Sequence, residues 1–126
     1  MGKQAITTDN APAAVGTYSQ AMRCGDLLFI SGQIPLDPVT GQLVDGGREA
    51  EIRRVFDNVQ AIAAAAGGSL SDVVKLSVFL TDLGDFALVN QVMMDYFEAP
   101  FPARAAMGVA ALPLGAQVEV EAIVSL

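Results

Sequence analysis

Ile52-Arg53-Arg54-Val55-Phe56-Asp57-Asn58-Val59-Gln60-Ala61-Ile62-Ala63-Ala64-Ala65-Ala66-Gly67-Gly68 carries the plainest structural signal in the chain. Ile52, Val55, Phe56, Val59, Ile62, Ala63 and Ala66 recur at three- and four-residue spacing, which makes one apolar stripe of a helix. Arg53, Arg54, Asp57 and Gln60 fall on other faces and read as solvated surface without chemistry. Gly67-Gly68 ends the helix as a C-terminal cap does. Val73–Thr81 follows, rich in β-branched residues and apolar enough for a central strand. A second stripe, Phe86, Val89, Met93, Tyr96 and Phe97, predicts a second helix. Asp82 or Asp85 can cap it, Met93-Met94 reads as core filling, and Pro100 and Pro102 end it.

Working outward, Lys3–Thr7, Tyr18–Cys24 and Leu27–Gln33 are predicted strands, the last two forming a hairpin around Gly25-Asp26. Pro35, Pro38 and Gly41 mark an irregular connection. Beyond the second helix, Ala103–Val109 and Gln117–Ser125 are the last strands, joined through Leu112-Pro113-Leu114-Gly115. The order β-β-β-α-β-α-β-β, without repeats or a linker, predicts a single α+β domain over residues 1–126. Both helices then lie on one face of a mixed sheet. The other face needs a cover, and association through it would use surplus apolar surface.

Composition sets limits. The 126 residues are 52% apolar, with a mean hydropathy of +0.45, yet no run approaches the ~20 apolar residues that span a bilayer. The start lacks the apolar core of a secretion signal. A net charge of −7 with only seven scattered Lys and Arg disfavours nucleic-acid binding. There is no histidine, no phosphate loop and no metal-ligand spacing, so neither metal nor cofactor is expected. The lone Cys24 excludes an internal disulfide, fits a reducing cytoplasm, and reads as a small buried residue at a strand end.

Arg104 is the only cation after Lys75. It sits between the proline turn Phe101-Pro102 and the run Ala105–Val109. Its planar fork suits a carboxylate or phosphate; the structural alternative is an ion pair with Glu119, Glu121 or Asp95. In the last strand Val118, Val120, Ala122 and Val124 point one way, and Glu119, Glu121 and Ile123 the other. Two carboxylates so placed are either exposed at an edge or put there for chemistry. A partly buried glutamate has a raised pKa and can relay protons near neutral pH. In a simple terminal hairpin Arg104 lies near Val124, with Glu119 about five rungs, roughly 16 Å, away; the two would then meet only where protomers adjoin. Ser31-Gly32-Gln33 ends an apolar strand, and glycine there permits close approach. Ser31 has no evident base, so nucleophilic catalysis is disfavoured. Tyr18 offers a phenol or packs in the core, and Asn90 is a candidate donor.

Asn10-Ala11-Pro12, Tyr18-Ser19-Gln20, Ser31-Gly32-Gln33-Ile34-Pro35, Asp57-Asn58-Val59, Val89-Asn90, Phe101-Pro102-Ala103-Arg104 and Val118-Glu119-Val120-Glu121-Ala122 together resemble the RidA family, in order along nearly the whole chain. The resemblance implies a chorismate-mutase-like fold and a homotrimer with sites in clefts between subunits. It implies deamination of reactive enamines and imines, 2-aminoacrylate and 2-iminobutanoate, to 2-keto acids and ammonia without metal or cofactor. By the same resemblance Arg104 holds the substrate carboxylate, and Glu119 orients water and shuttles a proton. Tyr18, Ser31, Gly32, Asn90 and the backbone at Ala106 form the pocket wall. Ala105-Ala106 stands where some relatives carry Ser-Cys, so no thiol contributes. The alternatives are a non-catalytic small-carboxylate binder, sensor or holdase, and, further off, an endoribonuclease.

Overall fold

Eight regular elements appear in the order expected from the sequence: β1 (Lys3–Ile6), β2 (Ala21–Cys24), β3 (Leu27–Gln33), α1 (Arg48–Ala65), β4 (Val73–Leu80), α2 (Phe86–Tyr96), β5 (Ala103–Gly108) and β6 (Val118–Ser125). The computed structural model describes residues 2–126. The strands form one mixed six-stranded sheet in the order β1-β2-β3-β6-β4-β5. All neighbours are antiparallel except β4 and β5. Parallel strands need a long crossover, and α2 supplies it between β4 and β5.

This topology corrects the terminal hairpin. β5 is carried to the outer side of β4, so β6 cannot pair with it. Instead β6 enters the gap between β3 and β4, and Leu76 pairs with Arg104 on one side and Ala122 on the other. The last strand of the chain is therefore interior, and neither Glu119 nor Glu121 stands on a sheet edge.

Both helices pack on one face. Ile52, Val55, Phe56, Val59, Ile62 and Ala63 of α1 are fully buried against Leu28, Ile30, Leu76, Val78, Leu80, Val118, Val120 and Val124. Burying such a side chain contributes about 1.5–3 kcal/mol, so this layer is the main source of stability. The Phe56 ring lies 5.6 Å from both Tyr96 and Phe97 and joins α1 to α2. Gly67 adopts a left-handed conformation (φ 87°). Its amide and that of Gly68 bond back to the carbonyls of Ala64 and Ala63, closing α1 as its sequence predicts.

Several boundaries and side chains differ from expectation. Phe97 is already extended (φ −126°, ψ 151°), so α2 stops before Pro100. Met93 is core, but Met94 is exposed. Cys24 is exposed at the end of β2 rather than buried. β2 begins at Ala21, not Tyr18, because Gln20 turns its amide to the preceding loop. It accepts from the Thr8 amide and donates to the carbonyls of Thr8 and Pro12.

The opposite face of the sheet is uncovered among the described residues. Leu27, Phe29 and Met107, each more than 40% exposed, stand on it beside Phe79, Glu119, Glu121 and Ile123 in register. No helix among the described residues is long and apolar enough to cross a membrane.

Candidate active site

A bulge in β3 shapes the main cleft. Ile30 pairs with Ala122 and Gln33 with Val120, so three steps of β3 oppose two of β6, which bends the strand locally. Ser31 and Gly32 lie in this bulge, next to Glu119. A Cβ on Gly32 would overlap the Glu119 carboxylate, with Cδ at 2.9 Å and Cγ at 3.2 Å. The glycine is thus the seat of that carboxylate. The cleft encloses about 620 Å³, walled by Tyr18, Ser31, Gly32, Glu119 and Glu121 on its polar side and by Val15, Ile34, Leu36 and Leu114 on its apolar side. That is room for a small ligand.

The wall is fixed by short hydrogen bonds. Ser31 Oγ donates to the Ser19 carbonyl at 2.6 Å, which leaves the hydroxyl only as an acceptor toward the cleft. The Tyr18 phenol accepts from the Val15 amide at 3.3 Å. Tyr18 is half exposed, so it is a wall residue and not core packing. Behind them the buried Gln20 clasps the loop through Pro12. Asn58, also buried, donates to the Leu36 carbonyl at 3.0 Å and holds the next segment of wall.

Burial holds the Glu119 carboxyl above its ordinary pKa, and the charge of Glu121 adds to the effect. Among the described residues no cation pairs with it: their ion pairs use Arg48 and Arg53. A half-buried carboxyl of this kind exchanges protons closer to neutrality than an exposed one.

Arg104 stands elsewhere. It is in register with Leu76 and through it with Ala122, both buried beneath the helices. Its side chain therefore belongs to the helix face, whereas Glu119, paired with Phe79, belongs to the open face. The two are separated by roughly 10 Å along the strands and roughly 10 Å across them, and they point away from each other through the sheet. Within one chain they cannot hold one small molecule together. The guanidinium donates from Nη1 to Asn90 Oδ1 at 2.6 Å and to Met93 Sδ at 3.4 Å. Its Cζ lies 4.9 Å from the Phe86 ring centre. The ion-pair alternative fails on each count: Asp95 is bound to Arg53 at 2.7 Å, and both glutamates occupy the other face.

The expected site residues thus fall into two groups. Tyr18, Ser31, Gly32 and Glu119 share the open-face cleft. Asn90, Arg104 and Ala106 share the helix side of β5. Gln20 and Phe86 were not singled out for the site in the sequence, and Glu121 only as the second carboxylate of the last strand. Only Glu121 carried a signal, its two-residue spacing from Glu119; buried amides and ring faces show themselves only in the fold. Among the described residues no three His, Cys, Asp or Glu side chains cluster as metal ligands.

Comparison with known proteins is consistent across sequence and structure. The family model described as Endoribonuclease L-PSP matches residues 8–126. A RutC family protein of Sinorhizobium fredii is 54% identical over 96% of both chains. A Bos taurus protein named 2-iminobutanoate/2-iminopropanoate deaminase is 49% identical, covering 96% of this chain and 88% of its own. The crystal structure of RidA from an Antarctic Psychrobacter superposes with a TM-score of 0.95 at 54% identity, covering 98% of this chain and 99% of that one. With the six-stranded sheet, the two helices on one face and these matches over nearly its whole length, the chain belongs to the RidA family.

Proposed function

We propose that this protein hydrolyses reactive enamines and imines of small 2-amino acids, 2-aminoacrylate and 2-iminobutanoate among them, to 2-keto acids and ammonia. The observation that carries the reading is the division of the site. An arginine with no anionic partner among the described residues lies on one face, and a half-buried glutamate with a raised pKa lies in a cleft on the other. The proposed working unit is a homotrimer in which the open faces are covered and Arg104 of one copy reaches the Glu119 cleft of the next. The exposed Leu27, Phe29 and Met107 support this assembly.

The chemistry asks little of the protein. Protonation at C3 turns the enamine into an imine, and a protonated imine carbon is already electrophilic. Arg104 grips the substrate carboxylate through paired hydrogen bonds. Glu119 orients a water against C2, takes its proton as the C–O bond forms, and returns it to nitrogen. The C–N bond then breaks as the C2 hydroxyl gives its proton to the Glu119 carboxylate and so to solvent, ammonia leaves, and the carbonyl of the 2-keto acid remains. Ser31, Tyr18 and Gly32 shape the cleft around the reacting carbon. Turnover by side chains alone suits the metal-free hydrolase reading, and the exposed Cys24 suits a reducing cytoplasm.

The test is ammonia and 2-keto acid release from an enamine generated in the cuvette by a serine/threonine dehydratase. Arg104→Ala should lower kcat/KM about ten- to a hundredfold, the loss of a charge-assisted pair. Glu119→Gln should lower kcat by about 10²–10⁴. A folded, assembled wild type that gives no acceleration refutes the proposal. Unimpaired carboxylate binding by Glu119→Gln, in a wild type without turnover, selects the non-catalytic binder instead.

A further inference from the structure

Arg104 is the sole basic residue beyond Lys75 in a chain of net charge −7, and among the described residues no carboxylate pairs with it. What surrounds it is neutral and regularly spaced. Phe86, Asn90 and Met93 lie four and three residues apart on α2, which puts them on one face of the helix. They offer the guanidinium a ring face at 4.9 Å, an amide oxygen at 2.6 Å and a thioether at 3.4 Å. Both polar contacts use Nη1. The edge formed by Nε and Nη2, whose N–H bonds run parallel, has no hydrogen-bond partner among the described residues. That edge is the one that takes a carboxylate side-on with two bonds.

The start of α2 is fixed against β5, so the ring cannot wander. Asp82 accepts from the Gly84 amide at 2.8 Å and sets the turn that leads into Phe86. Leu83 in that turn rests on Gly108, where a Cβ would come within 3.1 Å of Leu83 Cγ. Arg104 and Gly108 share one face of β5, so the helix start is seated at two points of the same strand.

We propose that Phe86, Asn90 and Met93 form a neutral cradle that orients Arg104 without neutralising it. This rests on the deaminase reading, and it assigns Asn90 to the arginine rather than to the substrate. Phe86 and Met93 are positioning residues. A carboxylate from the same chain would satisfy the fork and compete with the substrate; the ring, amide and thioether hold the plane of the guanidinium and leave its charge for the ligand.

The experiment uses the full chain and the variants Phe86→Leu, Phe86→Tyr and Met93→Leu. Steady-state kinetics are run on the dehydratase-generated enamine, and 2-oxobutanoate binding is followed by calorimetry. Phe86→Leu should raise KM and weaken 2-oxobutanoate about two- to fivefold, the worth of an exposed cation–ring contact, with kcat unchanged. Met93→Leu should act in the same direction, and Phe86→Tyr, which keeps the ring, should restore KM. A folded Phe86→Leu with wild-type KM and wild-type 2-oxobutanoate affinity overturns the cradle. So does a fall in kcat alone, since that is not an effect on carboxylate capture. A wild type that binds 2-oxobutanoate but turns nothing over refutes the deaminase reading, and the cradle is then judged on binding. A wild type that does not bind 2-oxobutanoate overturns the cradle together with the clamp it serves.

Discussion

Gly32→Ala separates the fold from the chemistry more cleanly than any deletion of a reacting group. Gly32 does not occupy a left-handed backbone conformation, so alanine brings no backbone strain. What it brings is a methyl group in the space held by the Glu119 carboxylate, with Cδ only 2.9 Å from the new atom. An ordinary carbon–carbon contact begins near ~3.5 Å, so Cδ must retreat by at least roughly half an ångström and the carboxylate oxygen by more. Glu119 is a flexible side chain beside an open cleft, and it can give way. The cost to stability should therefore stay within about 1 kcal/mol, a few degrees in melting temperature. The cost to catalysis should be much larger, because a misplacement of about 1 Å lowers rates on the order of a hundredfold. The coupled dehydratase assay reads kcat, thermal melting reads the fold, and 2-oxobutanoate binding reads the Arg104 half, which the substitution leaves alone. Turnover within a few-fold of wild type in a folded Gly32→Ala protein would refute the reasoning: the carboxylate position seen against Gly32 would not be the one that handles the proton.

Two further outcomes follow from the same residues. Burial, then Glu121, raises the Glu119 pKa, so the folded chain binds this proton more tightly than the unfolded one, and stability falls as pH rises through the window above the ordinary value of 4.5. Glu119→Gln should thus melt higher than wild type near neutral pH and indistinguishably from it below about pH 4; a variant less stable than wild type at neutral pH contradicts that sign. Gln20→Ala removes the amide that binds Thr8 and Pro12 and strands buried backbone groups, at a cost of about 1–3 kcal/mol in urea unfolding. Amide exchange should quicken across residues 8–12, and an unchanged exchange pattern would show that Gln20 does not hold the wall.

The sequence was most informative where local patterning and burial agree. The α1 stripe, the Gly67-Gly68 cap, the extent of β3 and the element order could all be read from it, because period and turn chemistry are local properties. Strand order was not, since nothing within Ala103–Ser125 reveals that the chain returns past β5 to fill a gap beside β4. That one long-range choice governed the site: it replaced a displacement along one hairpin with a displacement through the sheet. Cys24 and Met94 were misread toward the interior for a different reason. Cys24, paired with Leu27, stands on the sheet face that the isolated chain leaves uncovered, and Met94 is exposed on α2; composition does not distinguish such surfaces from a core.

The placement of Arg104 and Glu119 on opposite faces, read with the proposed assembly, would make abundance part of the machinery. If the clefts form between copies, as proposed, activity per chain is not a constant but rises with concentration until assembly is complete. A newly made or diluted chain would then hold both halves of the apparatus and use neither. The capacity to dispose of a reactive intermediate would then fall more steeply than protein level while every chain remained folded.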